Sequence, residues 1–281
     1  MALPAHTSPL ERAWRIAYLV TCTAIFVFLV APIIVIIPLS FNATPYFTFT
    51  EAMLTLDPAG WSLRWYRDLL TSREWLRSIE NSFFIATVSA AIATTLGTLA
   101  ALGLSRREMP ARAAITAFLI SPMIVPLIIT AAALFSFYAR ANLSQTYFSI
   151  IMSHVVLGAP FVVITVTAAL SGFDNQLVRA SQSLGANLFT TFFRVILPLL
   201  APGIVAGALF AFITSLDEVV VALFLAGPRQ QPMTVQMFGS LREEISPTIL
   251  ALATILVILS ILLLTFMEAM RRRTERNRTG T

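Results

Sequence analysis

The chain of 281 residues reads as an all-α integral membrane protein with six transmembrane helices, on three observations. Hydrophobic residues make up 57% of it and charged residues 12%, with a mean hydropathy of +0.82, too apolar for a soluble domain. Six apolar runs are each long enough to cross a bilayer core of about 30 Å. The arginines gather at the ends of those runs. A net charge of +5 therefore reflects orientation in a membrane and predicts no nucleic-acid partner.

Taken in order, a tail over residues 1–15 with Arg12 and Arg15 leads into a first span at about 16–40. That run is longer than a signal-peptide core and ends without a small-residue cleavage site, so it reads as a retained span. Phe41 to Asn81 is polar and holds Pro45, Pro58, Gly60 and a tryptophan-rich stretch. There the spacing of Trp65, Leu69, Leu76 and Ile79 predicts one side of a surface helix, an aromatic anchor at the interface. The second span, about 83–104, is rich in Ala, Ser, Thr and Gly, which lets helices approach closely. A basic turn with Arg106, Arg107 and Arg112 precedes the third, about 113–138, where Pro122 and Pro126 predict a kink.

The fourth span, about 146–170, contains His154, which reads as a helix-to-helix hydrogen bonder because no carboxylate, cysteine or second histidine lies near it. A polar connection over 171–198 follows. The fifth span, about 199–226, carries Gly203 and Gly207 at close-packing spacing, and the sixth covers about 248–270 before a basic tail over 271–281. Six spans put both termini on one side. Assigning that side to the cytoplasm leaves twelve arginines inside and seven outside, which places both termini and the 171–198 connection in the cytoplasm of a cell inner membrane.

Composition also removes chemistry. All 19 basic residues are arginine, so no P-loop or Schiff-base lysine exists here. Any ATP-driven process needs its ATPase on another polypeptide. One cysteine, Cys22, forms no intrachain disulfide, and two histidines, His6 and His154, offer no visible pairing of nucleophile and base. No catalytic residue, metal site or cofactor is expected in this chain.

Within the polar connection, Leu177 to Pro198 reads as a helix, an elbow and a helix. Gln176 to Leu184 suits a short helix, and Gly185 supplies the positive φ that ends it. Leu188, Phe192 and Val195 then share one face of a second short helix, and Pro198 opens the next span. The arrangement leaves apolar residues protruding for a partner. Its spacing resembles the coupling loop of ATP-binding-cassette (ABC) importer permeases, E-A-A, three residues, G, nine residues, I-x-L-P. Arg179, Ala180, Ser181, Leu184, Gly185, Val195, Leu197 and Pro198 occupy that frame, with Arg179 where the family carries Glu, Ser181 in place of the second Ala and Val195 in place of Ile.

Asp217 and Glu218 are the only acidic pair inside an apolar run. A carboxylate at the centre of a membrane helix costs about 2.5 to 3.5 kcal/mol on insertion scales, so water, a second subunit or a cationic cargo must offset it. In a continuous helix the two side chains point about 100° apart, and one of them faces the pathway. The stretch SLDEVV, Ser215 to Val220, resembles the corresponding region of spermidine/putrescine-type permeases, as does SLRWYRDLL in the outer segment. What that resemblance implies is a type I importer fold: this permease, a second and distinct permease, two cytoplasmic ATPases carrying ATP and magnesium, and an extracytoplasmic solute-binding protein. Ser215, Asp217 and Glu218 become the cargo-pathway residues. The rival reading is a secondary transporter or channel that uses the same carboxylates for ion coupling.

Overall fold

The computed structural model describes residues 9–106, 108–243 and 246–279, all helix, turn and loop apart from one isolated bridge between Asn42 and Trp61. Its main helices are α1 (Pro9–Leu39), α2 (Arg64–Thr71), α3 (Arg73–Leu104), α4 (Arg112–Met123), α5 (Leu127–Arg140), α6 (Tyr147–Ser171), α7 (Asn175–Ser183), α8 (Leu188–Asp217), α9 (Val220–Leu225), α10 (Met233–Glu243) and α11 (Thr248–Thr279). Five of these, α1, α3, α6, α8 and the first part of α11, are long and apolar enough to cross a bilayer. A sixth crossing forms if α4 and α5, bent by 98° at a short break, count as one. The kink expected from Pro122 and Pro126 is thus a full break of the third span: Pro126 has no N–H to continue a helix and stands directly before α5.

The chain divides into two compact units, Met1–Thr71 with Ser240–Leu262, and Ser72–Gly239 with Leu263–Thr281. In the first, the tryptophan-rich stretch is not the surface helix its spacing suggested. Ser72 caps α3 by accepting the Trp75 N–H, which ends α2 at Thr71 and separates Trp65 and Leu69 from Leu76 and Ile79. Trp65 and Leu69 are buried, whereas Leu76 is exposed. Asn42 organises this unit: its Nδ2 donates to the Tyr46 and Thr48 carbonyls at 3.0 and 2.8 Å, and its own carbonyl accepts the Trp65 indole N–H at 2.7 Å. Thr248 Oγ1 donates to Asp68 Oδ2 at 2.8 Å, joining the start of α11 to α2.

The second unit is built on α3, α6 and α8, which pack pairwise. Its core runs through Ile85, Ala93, Ile150, Val155, Val162, Val166 and Ala211. The sequence chose these partners through small residues. Gly158 meets Ala211, Gly207 meets Val162, and Gly203 meets Thr165 and Ala169, so α6 and α8 run antiparallel in one register along their length. A Cβ at Gly207 would lie 2.5 Å from Thr165 Oγ1 and 2.9 Å from the Val162 Cα. The second contact is backbone and has no room to give. Gly207→Leu is therefore expected to prevent assembly of the bundle, a loss of several kcal/mol by overpacking. Gly103→Ala, where a Cβ meets nothing within 4 Å, should stabilise α3 by about 0.5 to 1 kcal/mol. Monodisperse yield and thermal midpoint in detergent check both.

Candidate functional site

Two sites sit at opposite ends of α8. From Pro198 to Asp217 the helix rises roughly 30 Å at 1.5 Å per residue, the thickness of a bilayer core.

The first is the elbow. Asp174 accepts the Gln176 N–H at 2.8 Å and starts α7, which carries Arg179, Ala180 and Ser181 in its later turns. Leu184 closes the helix, and Gly185 follows at φ +83°. The Ala186 N–H donates to the Ser181 carbonyl at 3.1 Å and the Gly185 N–H to the Gln182 carbonyl at 2.9 Å, the paired bonds of a Schellman turn. Asn187 then accepts the Thr190 N–H at 2.8 Å and starts α8. The Ser181 and Thr191 hydroxyls bond at 2.7 Å across the bend. A sharp corner is thereby held by backbone bonds, two side-chain caps and one cross-link.

Two expectations about this corner change. No second short helix stands apart from the fifth span, because Leu188–Asp217 is continuous and passes through a π-helical turn at Phe192–Ile196. There the Leu197 N–H reaches back to the Phe192 carbonyl, one residue further than in an α-helix. Val195 lies in that turn, with Leu197 and Pro198 just after it. The offset also breaks the face proposed for Leu188, Phe192 and Val195: Phe192 and Val195 are half-buried, and the exposed apolar side chains are Leu184, Leu188, Phe189 and Phe193. Leu184 is 88% exposed and Phe189 77%, too much apolar surface at one corner to be left without a partner. Arg179 is exposed beside them.

The second site is a helix break. The fifth span is not one helix over 199–226: α8 ends at Asp217, Glu218 is extended at φ −72°, ψ 118°, and α9 begins at Val220. The 100° separation expected of adjacent helical residues does not apply. Glu218 is buried and turns its Oε1 to the Val221 N–H, which donates to it at 2.7 Å, so its carboxylate caps α9 from three residues upstream. Asp217 is exposed. The two carboxylates thus do different work, one building the break and one leaving it. Asp217 stands where α8 ends, and the carbonyl end of a helix carries partial negative charge of its own. Charge and dipole together favour a cation at that point.

Ser215, a half-turn earlier, is buried and bonds His154 Nδ1 of α6 at 2.7 Å. That fixes the end of α8 against its neighbour and makes His154 a helix-to-helix hydrogen bonder. The sequence reading did not find Thr234, whose Oγ1 donates to the Glu218 carbonyl at 3.0 Å, or Asn81, which holds the loop leading to it. By composition Asn81 ends the polar outer segment, whereas the structure puts it inside α3. The available signal is the spacing of Ser78, Asn81 and Ser82 at three and four residues, with Ser89 seven residues further on, which continues the buried face of α3 outward. Among the described residues, no three of His, Cys, Asp or Glu gather as a metal site.

The chain is 31% identical over 258 residues to the Escherichia coli K12 spermidine/putrescine transport system permease protein PotC, covering 92% of this chain and 95% of that one. It is 33% identical over 262 residues to the putrescine transport system permease protein PotI of the same organism, covering 91% and 88%. A bacterial ABC transporter that imports the acidic polysaccharide alginate shares the fold, with a TM-score of 0.68 at 16% identity over 96% of this chain and 99% of that one. The architecture is that of type I ABC importer permeases. Residues 93–276, which hold both the elbow and the break, match one family throughout, and the chain is a member of it: the binding-protein-dependent transport system inner membrane components.

Proposed function

We propose that this chain forms half of the translocation pathway of an ATP-driven importer of polyamines, with Asp217 receiving the cationic cargo and the Gly185 elbow receiving the motor. The observation that carries the cargo assignment is an exposed carboxylate at the carbonyl end of a broken membrane helix. In lipid it would cost about 2.5 to 3.5 kcal/mol, so it faces water or the second permease. A di- or polyammonium chain suits a site where a carboxylate and a helix end point the same way. The relatives transport spermidine and putrescine by their names, and they span nine tenths of this sequence.

At the other end, the apolar corner of Leu184, Leu188 and Phe189 docks into a cytoplasmic ATPase, one of a pair that bind ATP and magnesium. Arg179 then meets an acidic residue on that surface, the reverse of the polarity usual at this position. Movement of the ATPases is passed through the elbow into α8, and α8 carries it to the break. ATP favours whichever bundle conformation fits the closed ATPase pair, and hydrolysis releases it. An extracytoplasmic binding protein delivers cargo, and a second, distinct permease completes the pathway.

Proteoliposomes holding the whole complex test the reading. Putrescine or spermidine uptake should require ATP inside the cytoplasmic compartment and be indifferent to a proton gradient. Uptake driven by the gradient without ATP would replace the importer by a secondary carrier.

A further inference from the structure

We infer that residues 229–234 form a hydrogen-bonded relay, and that Asn81 and Thr234 are positioning residues through which an extracytoplasmic protein seated on that segment moves the break at Glu218. The inference rests on the importer reading above and adds a route by which docking reaches the pathway.

The relay is a continuous run of hydrogen bonds and neighbouring residues from Asn81 to Glu218. Asn81 of α3 is buried at 5% exposure. Both N–H groups of its amide are used, donating to the carbonyls of Arg229 and Gln231 at 3.0 Å each. Its Oδ1 accepts the Tyr147 hydroxyl at 2.7 Å, which ties α6 to the same point. One residue along α3, Ser82 Oγ accepts the Met233 N–H at 2.8 Å. Thr234 follows directly in the chain, and its Oγ1 reaches the Glu218 carbonyl at 3.0 Å. Glu218 in turn caps α9. Residues 229, 231 and 233 are thus fastened at alternate positions to buried groups, and 234 is fastened to the break.

The physical consequence is a segment that cannot yield by degrees. Asn81 and Met233 are buried, so a partial shift leaves buried donors without acceptors, which is costly in a low dielectric. Displacement of residues 229–231 either fails or carries Thr234 with it. Such discrete elements transmit coupling between distant sites. The start of the segment is reachable: the Arg229 side chain is exposed while its carbonyl is held. A partner presenting a carboxylate to Arg229 therefore pulls on one end of the relay, and the other end holds the residue next to Asp217.

Two near-isosteric changes cut the relay at separate links without touching the pathway carboxylate or the elbow. Asn81→Asp keeps the acceptor for Tyr147 and turns the two donors into an oxygen facing two carbonyls. Thr234→Val removes the hydroxyl and keeps the shape, and Thr234→Ser restores it. The experiment uses the complete complex in proteoliposomes and reads ATP hydrolysis per assembled complex, basal and with saturating cargo-loaded binding protein. The expected result is that Asn81→Asp and Thr234→Val each lower the stimulated-to-basal ratio about fivefold or more with the basal rate kept. Thr234→Ser should behave as wild type, and the double variant should be no worse than the poorer single one, because both cut one chain. Unchanged stimulation in either single variant, or losses that multiply in the double, overturns the relay. A variant with low yield but a normal ratio per complex also overturns it, since a structural role alone lowers yield. A wild-type complex that the binding protein does not stimulate at all overturns the importer reading, and that outcome is told apart from the others before any variant is made.

Discussion

Replacing Gly185 by aspartate is expected to abolish ATP-driven uptake while leaving the membrane bundle assembled. Gly185 adopts φ +83°, and the Schellman bonds from Ala186 and Gly185 to Ser181 and Gln182 depend on that conformation. A left-handed residue other than glycine costs roughly 1 to 2 kcal/mol, and aspartate and asparagine are among those that bear it best. Strain alone therefore bends the corner without destroying it. The larger effect comes from what the side chain meets. A Cβ at Gly185 has nothing within 4 Å, so a new side chain projects into open space at the corner that carries the exposed Leu184, Leu188 and Phe189, the surface proposed to dock the ATPase. Burying an unpaired carboxylate under a partner costs about 3 to 5 kcal/mol, a factor of a hundred or more in affinity. Gly185→Asn separates the two effects, because it matches aspartate in shape and in tolerance of the left-handed region but carries no charge. We expect Gly185→Asn to keep a substantial part of uptake and Gly185→Asp to keep none, with co-purification of the ATPase lost only in the latter. Wild-type uptake in Gly185→Asp would remove the elbow from the coupling path.

The elbow was legible because its signals are local and covalent. A glycine after a short polar helix and a fixed count to Pro198 each dictate backbone geometry without help from the rest of the fold. The fold class was legible for a similar reason, since length and hydropathy decide whether a run crosses a membrane. The break at Glu218 was not. No proline or glycine marks it, and a hydropathy window reads Val219 to Leu225 as more of the same span. What ends α8 is a side-chain cap, Glu218 on the Val221 N–H, and glutamate is not among the residues whose presence announces a cap. The π-helical turn was equally hidden, because a one-residue shift in hydrogen bonding changes no composition; it only rotates Phe192 and Val195 away from the face of Leu188. The tryptophan-rich stretch misled through periodicity. Trp65 and Leu69 do share a helical face, but the hydroxyl of Ser72 starts a new helix before Leu76 is reached.

Neutralising Asp217 should be far more damaging to transport than neutralising Glu218, although the two are adjacent and chemically alike. Glu218→Gln keeps a carbonyl oxygen where Oε1 accepts the Val221 N–H, so the cap on α9 and the bond from Thr234 to the Glu218 backbone survive. Its uptake should fall by no more than a few-fold. Glu218→Ala is the different case: it leaves the buried Val221 N–H without an acceptor, a loss of about 1 to 3 kcal/mol that should show as reduced yield. Asp217→Asn keeps the shape of an exposed side chain and leaves the hydrogen bonds of Glu218 in place. It removes the charge proposed to meet the cargo. At about 4 Å and an effective dielectric of about 20, attraction between one carboxylate and one ammonium is near 4 kcal/mol, an upper bound that water in the pathway reduces. A rise of ten- to a hundredfold in the cargo concentration for half-maximal uptake is therefore expected, with assembly and basal ATP hydrolysis intact. Measuring that concentration for a diamine and a triamine sharpens the comparison, since a longer cation retains other contacts and should lose less. Normal uptake in Asp217→Asn beside a dead but assembled Glu218→Gln would reverse the two roles: the buried carboxylate would be the one that cargo uncovers, and the break would have to open for each molecule that passes.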